Sequence, residues 1–292
     1  MFELVKINEN DYYIQSPTKI GIVKLDENNV CIIDSGNNKD YGKRVKKILD
    51  GQGWTLKAIF NTHSHADHIG GNRYLQDNTG CEIYAPKSEI SFINNTILTP
   101  MYLFGANPID ELKHKFLLAQ ESNSKQLNDD SLPEGMKVIH LPGHVFDMAG
   151  YITKDGTFFM GDSFCSKATL DKYSITVLYD VEQYLQTLEK LKQVDAKIFV
   201  PSHADASDNI NELADYNIQL THQIAETIYE LCSQPITFEN LLKKIFEHYN
   251  MRMTGEQYFL VGSTVKCYLT YLKKNEKITI EIKDNMLYWV QI

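Results

Sequence analysis

Three histidines and an aspartate fall within six positions, His63, His65, Asp67 and His68, directly after the apolar run Ala58-Ile59-Phe60. A folded chain seldom crowds imidazoles in this way, because each buried ring needs a hydrogen-bond partner and neighbouring rings compete for the same ones. A divalent cation serves them all at once. His63 and His65 alternate, so in an extended segment leaving a strand they face one side and reach one ion. Asp67 and His68, where the chain turns, face a second. Gly70-Gly71 is then expected to let the backbone turn closely around the ions.

Further donors follow, each beside a Gly, Pro or Ser at the end of an apolar run. Val138-Ile139-His140-Leu141-Pro142-Gly143-His144 delivers His144, Thr157-Phe158-Phe159-Met160-Gly161-Asp162 delivers Asp162, and Lys197-Ile198-Phe199-Val200-Pro201-Ser202-His203 delivers His203. In order and spacing these four motifs resemble the metallo-β-lactamase-fold hydrolases, with their HxHxDH loop, later His, bridging Asp and final His. The resemblance spans roughly residues 1–208 and is closest, at the metals, to glyoxalase II.

That resemblance implies an α/β fold, a four-layer αβ/βα sandwich with metals at one edge. It implies that His63, His65 and His144 hold one metal, that Asp67, His68 and His203 hold the other, and that Asp162 bridges both. Asp34, which follows Val30-Cys31-Ile32-Ile33, matches the family's buried Asp that hydrogen-bonds the ligand loop, and oriented ligands need such acceptors. An insertion, here residues 86–135, would lie over the metal edge and shape the pocket. Tyr102 and Phe104 within it either line that pocket or pack the insertion onto the sheet.

Local patterns agree with a sheet covered by helices. Tyr12-Tyr13-Ile14, Ile20 to Leu25 and Val30 to Ile33 read as strands, with Asp26-Glu27-Asn28-Asn29 as a hairpin turn. Residues 40–50 form an amphipathic helix closed by Gly51, and a strand over 57–60 feeds the histidine loop. Residues 86–135 read mostly helical, with a polar connection at 121–131.

After His203 the character changes, which sets a second domain at 209–292. Helices are expected over 212–232, 238–249 and 257–274, followed by a β-hairpin of Lys277 to Ile282 and Met286 to Val290 around Lys283-Asp284-Asn285. Helices ending in a hairpin resemble a winged-helix module. Residues 210–292 hold 8 Lys/Arg against 10 Asp/Glu, whereas a wing that binds a duplex is usually basic. Packing or homodimer formation suits this part better than nucleic-acid binding, and Lys266, Lys273, Lys274 and Lys277 read as a solvated face.

Composition narrows the classes. With 292 residues, 43% of them apolar, the chain can build a substantial core. The N-terminus lacks the pattern of an export signal, and no run approaches the roughly 18 apolar residues of a membrane span. Five scattered cysteines without a CxxC pair argue against a disulfide framework and for a reducing cytoplasm. A net charge of −9 disfavours a large polyanionic partner.

Five neutral imidazoles and two carboxylates leave about +2 on a pair of dications, enough to make a bridging water exist as hydroxide near neutral pH. The expected activity is attack by that hydroxide on a small ester-like substrate, a thioester or lactone, with Asp67 orienting it and a metal stabilising the oxyanion. Zinc suits the mixed N/O donors, and iron and manganese accept the same residue types. Competing readings are a metal-dependent ribonuclease or phosphodiesterase, a mononuclear iron persulfide dioxygenase, and a non-catalytic protein that keeps the fold. Cys165 reads as a small buried thiol rather than a metal modulator, His140 as strand packing, and His114, His222 and His248 as helical surface or satisfied side chains.

Overall fold

Val30-Cys31-Ile32-Ile33 and Ala58-Ile59-Phe60 are apolar at every position instead of every second one, which suits strands covered on both faces. The computed structural model, which describes residues 2–292, sets them side by side and parallel near the middle of a sheet. Along the chain run β1 (Glu3–Lys6), β2 (Asp11–Gln15), β3 (Ile20–Lys24) and β4 (Asn29–Ile33), each antiparallel to its predecessor. Helix α1 (Lys39–Gly51) leads to β5 (Thr55–Phe60), α2 (Ala66–Ile69) and α3 (Asn72–Thr79) to β6 (Glu82–Ala85), and α4 (Ile90–Asn94) and α5 (Leu98–Phe104) to β7 (Ser124–Gln126). These strands form one seven-stranded sheet in sequence order.

The second sheet has the order β11-β10-β9-β8. It comprises β8 (Lys137–His140), β9 (Ala149–Ile152) and β10 (Thr157–Phe159), then, after α6 (Lys167–Tyr173) and α7 (Val181–Leu191), β11 (Ile198–Val200), which lies parallel to β10. The chain closes with α8 (Asn211–Leu231), α9 (Phe238–His248), α10 (Gly255–Lys274) and the hairpin β12 (Ile278–Lys283) and β13 (Met286–Gln291). Side-chain caps start several helices where the sequence changes character. Asn38 accepts from the amides of Asp40 and Tyr41 at α1, Thr237 from Asn240 at α9, and Thr254 from Gln257 at α10.

The two sheets face each other across Cys31, Ile33 and Phe60 on one side and Tyr151, Phe159 and Val200 on the other. The opposite face of the first sheet buries Ile22, Ile32 and Ile59 against Val45 and Leu49 of α1 and Leu75 of α3. The opposite face of the second buries Phe158 and Phe199 beneath α7 and α8. The result is the expected α/β/β/α layering, and its physical cause is that each inner strand is apolar on both faces.

The core beneath the second sheet does not stop at residue 208. Leu188 and Leu191 of α7, Ile224 and Ile228 of α8, Leu241 and Ile245 of α9, and Val265 and Leu269 of α10 belong to one continuous buried cluster. The terminal hairpin is tied to it by the mutual backbone hydrogen bonds of Ile236 and Trp289. Among the described residues, no helix is long and apolar enough to cross a membrane.

Two local expectations need correction. Part of the polar connection at 121–131 is a strand, β7, paired in parallel with β6. As a three-residue strand of sequence Ser-Lys-Gln at the sheet's end it buries little apolar surface, so it carries no alternation to read. Residues 86–135 are not mostly helical: their α-helices are α4 and α5, of five and seven residues.

Because α10 shares its core with the second sheet, Leu269→Ala is expected to cost about 2–5 kcal/mol of unfolding free energy. Calorimetry of this variant is expected to retain a single cooperative transition. Separate melting of residues 209–292 would contradict a shared core.

Candidate metal centre

All seven suspected donors leave the carboxyl ends of strands on one edge of the sandwich, where open α/β sheets place their ligands. His63 and His65 follow β5, with Asp67 and His68 in the single turn of α2; His144 lies between β8 and β9, Asp162 follows β10, and His203 follows β11. Gly143, with φ +126°, makes the turn that presents His144, and a side chain there would meet the Tyr184 backbone at 2.4 Å. A Cβ on Gly70 or Gly71 would strike the carbonyls of Asn37 at 2.1 Å and Ser35 at 2.4 Å, so these glycines let the histidine loop press against residues 35–37.

The donors converge on two groups with a common member. One donor atom from each of His63, His65, His144 and Asp162 lies within 4.8 Å of the others, and the same holds for Asp67, His68, Asp162 and His203. His65 Nδ1 and His144 Nε2 are 3.1 Å apart, near the separation of about 3.3 Å for two nitrogens sharing a tetrahedral ion with bonds of ~2.05 Å. His203 Nε2 stands 3.1 Å from Asp67 Oδ2 and 3.3 Å from Asp162 Oδ2. Nε2 of His63, Nε2 of His68 and Oδ1 of Asp162 are buried without a hydrogen-bond partner, although the last two approach to 3.1 Å. Buried polar atoms left this way, one from each donor group and one from the shared Asp162, are what cation sites require.

The outward nitrogens of His63, His68, His144 and His203 are engaged, which fixes these four rings. His144 Nδ1 donates to the Val177 carbonyl at 3.0 Å and His203 Nδ1 to the Pro17 carbonyl at 2.9 Å. His68 Nδ1 donates to Asp34 Oδ2 at 2.7 Å, and the same carboxylate accepts from the Thr62 hydroxyl at 2.7 Å and the Thr62 amide at 2.8 Å. The Thr62 oxygen in turn lies 3.0 Å from His63 Nδ1, so Asp34 orients one histidine from each group. It does so from φ +62°, a conformation Asp tolerates better than most residues and one that turns its carboxylate back toward the loop.

Two further anchors carry no motif. Glu89, fully buried, accepts from the Ser64 amide at 3.0 Å and so grips the loop between His63 and His65; burial pushes its pKa up against that hydrogen bond. Thr18 donates to Asp67 Oδ2 at 2.7 Å. In the sequence Lys87-Ser88-Glu89 looks like a solvated polar run, and nothing separates Thr18 from any other strand-edge threonine.

Electrostatics divides the imidazoles. Burial, reinforced by His144, takes His65 down to about 3, and burial lowers His63 and His144 as well, so these three are neutral and ready to bind a cation. Burial also opposes charge on His203, yet Asp162 and Asp67 carry it up to about 10. His68 is raised likewise by Asp162, Asp67 and Asp34 against its burial. Asp162 lies well below the carboxylate range because His203 and His68 overcome its desolvation.

The remaining candidates fall outside the centre. His140 projects from β8 to solvent and pairs with Asp147 at 2.9 Å, so it is neither packed nor a ligand. His114 sits in a bend 3.5 Å from Glu256, not in a helix, while His222 and His248 are exposed on α8 and α9. Cys165 lines the cavity beside the centre, where burial and then Asp162 push its thiol up to about 12 and keep it protonated. Tyr102 lines the same cavity, whereas Phe104 stacks on Phe259 of α10.

This fold and this donor set define a class: the chain belongs to the metallo-beta-lactamase superfamily, whose family model matches residues 15–203. It is 26% identical over 191 residues to the beta-lactamase-like protein 2 homolog of Caenorhabditis elegans, covering 64% of this chain and 56% of that protein. It is 28% identical over 127 residues to the hydroxyacylglutathione hydrolase GloC of Haemophilus influenzae, covering 44% of this chain and 57% of that protein. The chain thus spans little more than half the length of these relatives. Among solved structures, a beta-lactamase domain protein from Burkholderia ambifaria matches with TM-score 0.76 at 14% identity, over 99% of this chain and 94% of the other. A metallo-beta-lactamase family protein from Thermus thermophilus matches with TM-score 0.71 at 14% identity, over 100% and 98%. At such identity the likeness is one of fold.

Two outcomes follow from the hydrogen bonds and charges. Asp34→Asn, which keeps the shape but weakens the acceptor, is expected to lower zinc affinity about 10–100-fold without unfolding the chain; unchanged affinity in a competition titration would contradict its orienting role. The carboxylates around His203 and His68 favour their charged forms in the metal-free protein, and both rings must be neutral to bind. Zinc uptake should therefore release protons and tighten as pH rises. Calorimetric titration in buffers of different ionisation enthalpy measures this release.

Proposed function

We propose that the protein is a dinuclear metallohydrolase that cleaves a thioester or lactone. The observation carrying this reading is that Asp162 belongs to both donor groups while each group holds further donors of its own. His63, His65 and His144 would hold one divalent ion, Asp67, His68 and His203 the other, and Asp162 both. Zinc is the ion best matched to four-coordinate N/O sites. Such a pair supplies Lewis acidity and a hydroxide nucleophile at neutral pH.

The chain's own residues supply the rest. Asp67 Oδ2, held by the Thr18 hydroxyl, is fixed to orient the attacking water. His63, His68, His144 and His203, locked by their outer hydrogen bonds, hold the donors in place so that little reorganisation accompanies charge development on the substrate oxygen. The relative from Haemophilus influenzae is named for hydrolysis of hydroxyacylglutathione, which favours a thioester here. A polyanionic substrate such as RNA fits less well. Among the described residues lining the cavity that reaches the centre there is no lysine or arginine to meet phosphates.

Metal-loaded protein is expected to turn over members of a thioester and lactone panel and to leave phosphodiesters and RNA intact. Asp162→Ala and His63→Ala should each lower kcat/KM at least about a thousandfold with the circular-dichroism spectrum retained. Full activity in either variant would refute the ligand assignment, and cleavage of RNA alone would replace the reading with a nuclease. Cys165→Ser is expected to change kcat/KM less than about threefold, since a neutral thiol donates no charge to the centre.

A further inference from the structure

The metal centre forms one end of a cavity of about 660 Å³. That volume suits a ligand considerably larger than an acetyl or lactoyl group. Its walls come from distant parts of the chain: Phe92 and Tyr102 from the insertion, Phe146 from the His144 loop, Tyr179 ahead of α7, and Leu260 from α10. Phe146 lies at the middle of this aromatic wall, its ring centroid 5.4 Å from Phe92, 5.6 Å from Tyr102 and 4.1 Å from Tyr179.

Charge is as informative as shape. The ionised side chains among the described lining residues, apart from the histidines, are Asp67 and Asp162 of the centre and Glu256, all acidic. Away from the centre, where Glu256 is the ionised lining side chain, a carboxylate or phosphate would lose water and meet no basic side chain. An aliphatic chain suffers none of these penalties and gains from leaving water. The leaving half of a biological thioester is ordinarily a charged or peptide-linked thiol, so the half that suits this cavity is the acyl half.

We propose that the cavity receives the acyl group of the substrate and that this group is an uncharged, medium-length aliphatic chain. The proposal rests on the hydrolase reading above. In the reaction, water adds to the carbonyl carbon, the C–S bond breaks, the thiol leaves with a proton, and the fatty acid is released as its carboxylate with a second proton passing to solvent. No oxidant or reductant is involved. The C-terminal part of the chain then has a role in selectivity, since Leu260 of α10 forms part of the acyl wall.

The test uses the full-length, metal-loaded chain and N-acetylcysteamine thioesters of acetate, butanoate, octanoate and decanoate, which share one small neutral thiol. Expected is a rise in kcat/KM of about three- to fourfold per added methylene between butanoate and octanoate. Leu260→Glu should lower the ratio of decanoyl to acetyl turnover at least about tenfold. Phe116→Ala, a truncation at a cavity residue that is 60% exposed and contributes little to folding, should lower it about threefold or more. Binding is read separately, by displacement of the neutral fluorophore N-phenyl-1-naphthylamine from metal-free protein. Decanamide should displace it and acetamide should not.

Turnover that is flat across the acyl series, or failure of decanamide to displace the dye, would overturn the acyl assignment and leave the hydrolase standing. Absence of turnover for every thioester and lactone, with displacement by decanamide intact, would instead remove the hydrolase and support the cavity as a site for an apolar chain.

Discussion

Five imidazoles and two carboxylates held within a few ångströms cannot satisfy one another. Three of the rings are kept neutral by burial, two are charged only by leaning on Asp67 and Asp162, and several donor atoms have no partner. Much of the structure around them reads as the means of keeping this arrangement from collapsing. Asp34 ties β4 to the loop after β5, Glu89 ties the insertion to the same loop, and carbonyls of Pro17 and Val177 hold the rings of His203 and His144. Each anchor is a neutral or anionic acceptor facing an N–H, so the inward nitrogens are left free for a cation.

The same anchoring links the centre to the far end of the chain. Asn217 of α8, almost fully buried, accepts from the Cys165 amide at 3.1 Å and donates to its carbonyl at 3.0 Å, which fixes the segment just beyond Asp162. The Tyr184 hydroxyl of α7 donates to the same Asn217 oxygen. Residues 209–292 are therefore coupled to the site through hydrogen bonds as well as through the shared apolar core and the wall of the cavity. A loss of packing in α8 or α10 would be felt at Asp162 and in the adjoining cavity, far away in sequence.

What the sequence disclosed and withheld follows from how each feature is encoded. The convergence of these seven groups was legible because histidines crowded after an apolar strand are hard to satisfy without a cation, and because each later candidate also ends an apolar run. The layering was legible through the family resemblance, and strands such as Val30 to Ile33, apolar on both faces, agree with it. The strand β7 was not, since Ser124-Lys125-Gln126 is held by backbone hydrogen bonds that any residue can make. Glu89 and Thr18 were missed because their importance lies in what they face, not in their type. The cavity wall was half legible: Tyr102 was a candidate, but Leu260 belongs to an apolar helix stripe that carries no sign of what it faces.

The central claim is that two cations share Asp162. Anomalous diffraction from crystals grown without chelators, recorded at the absorption edges of zinc, iron and manganese, examines it most directly. Two peaks are expected, one among His63, His65 and His144 and one among Asp67, His68 and His203, with the Asp162 carboxylate between them. A single peak, a peak elsewhere, or none in protein supplied with metal would contradict it.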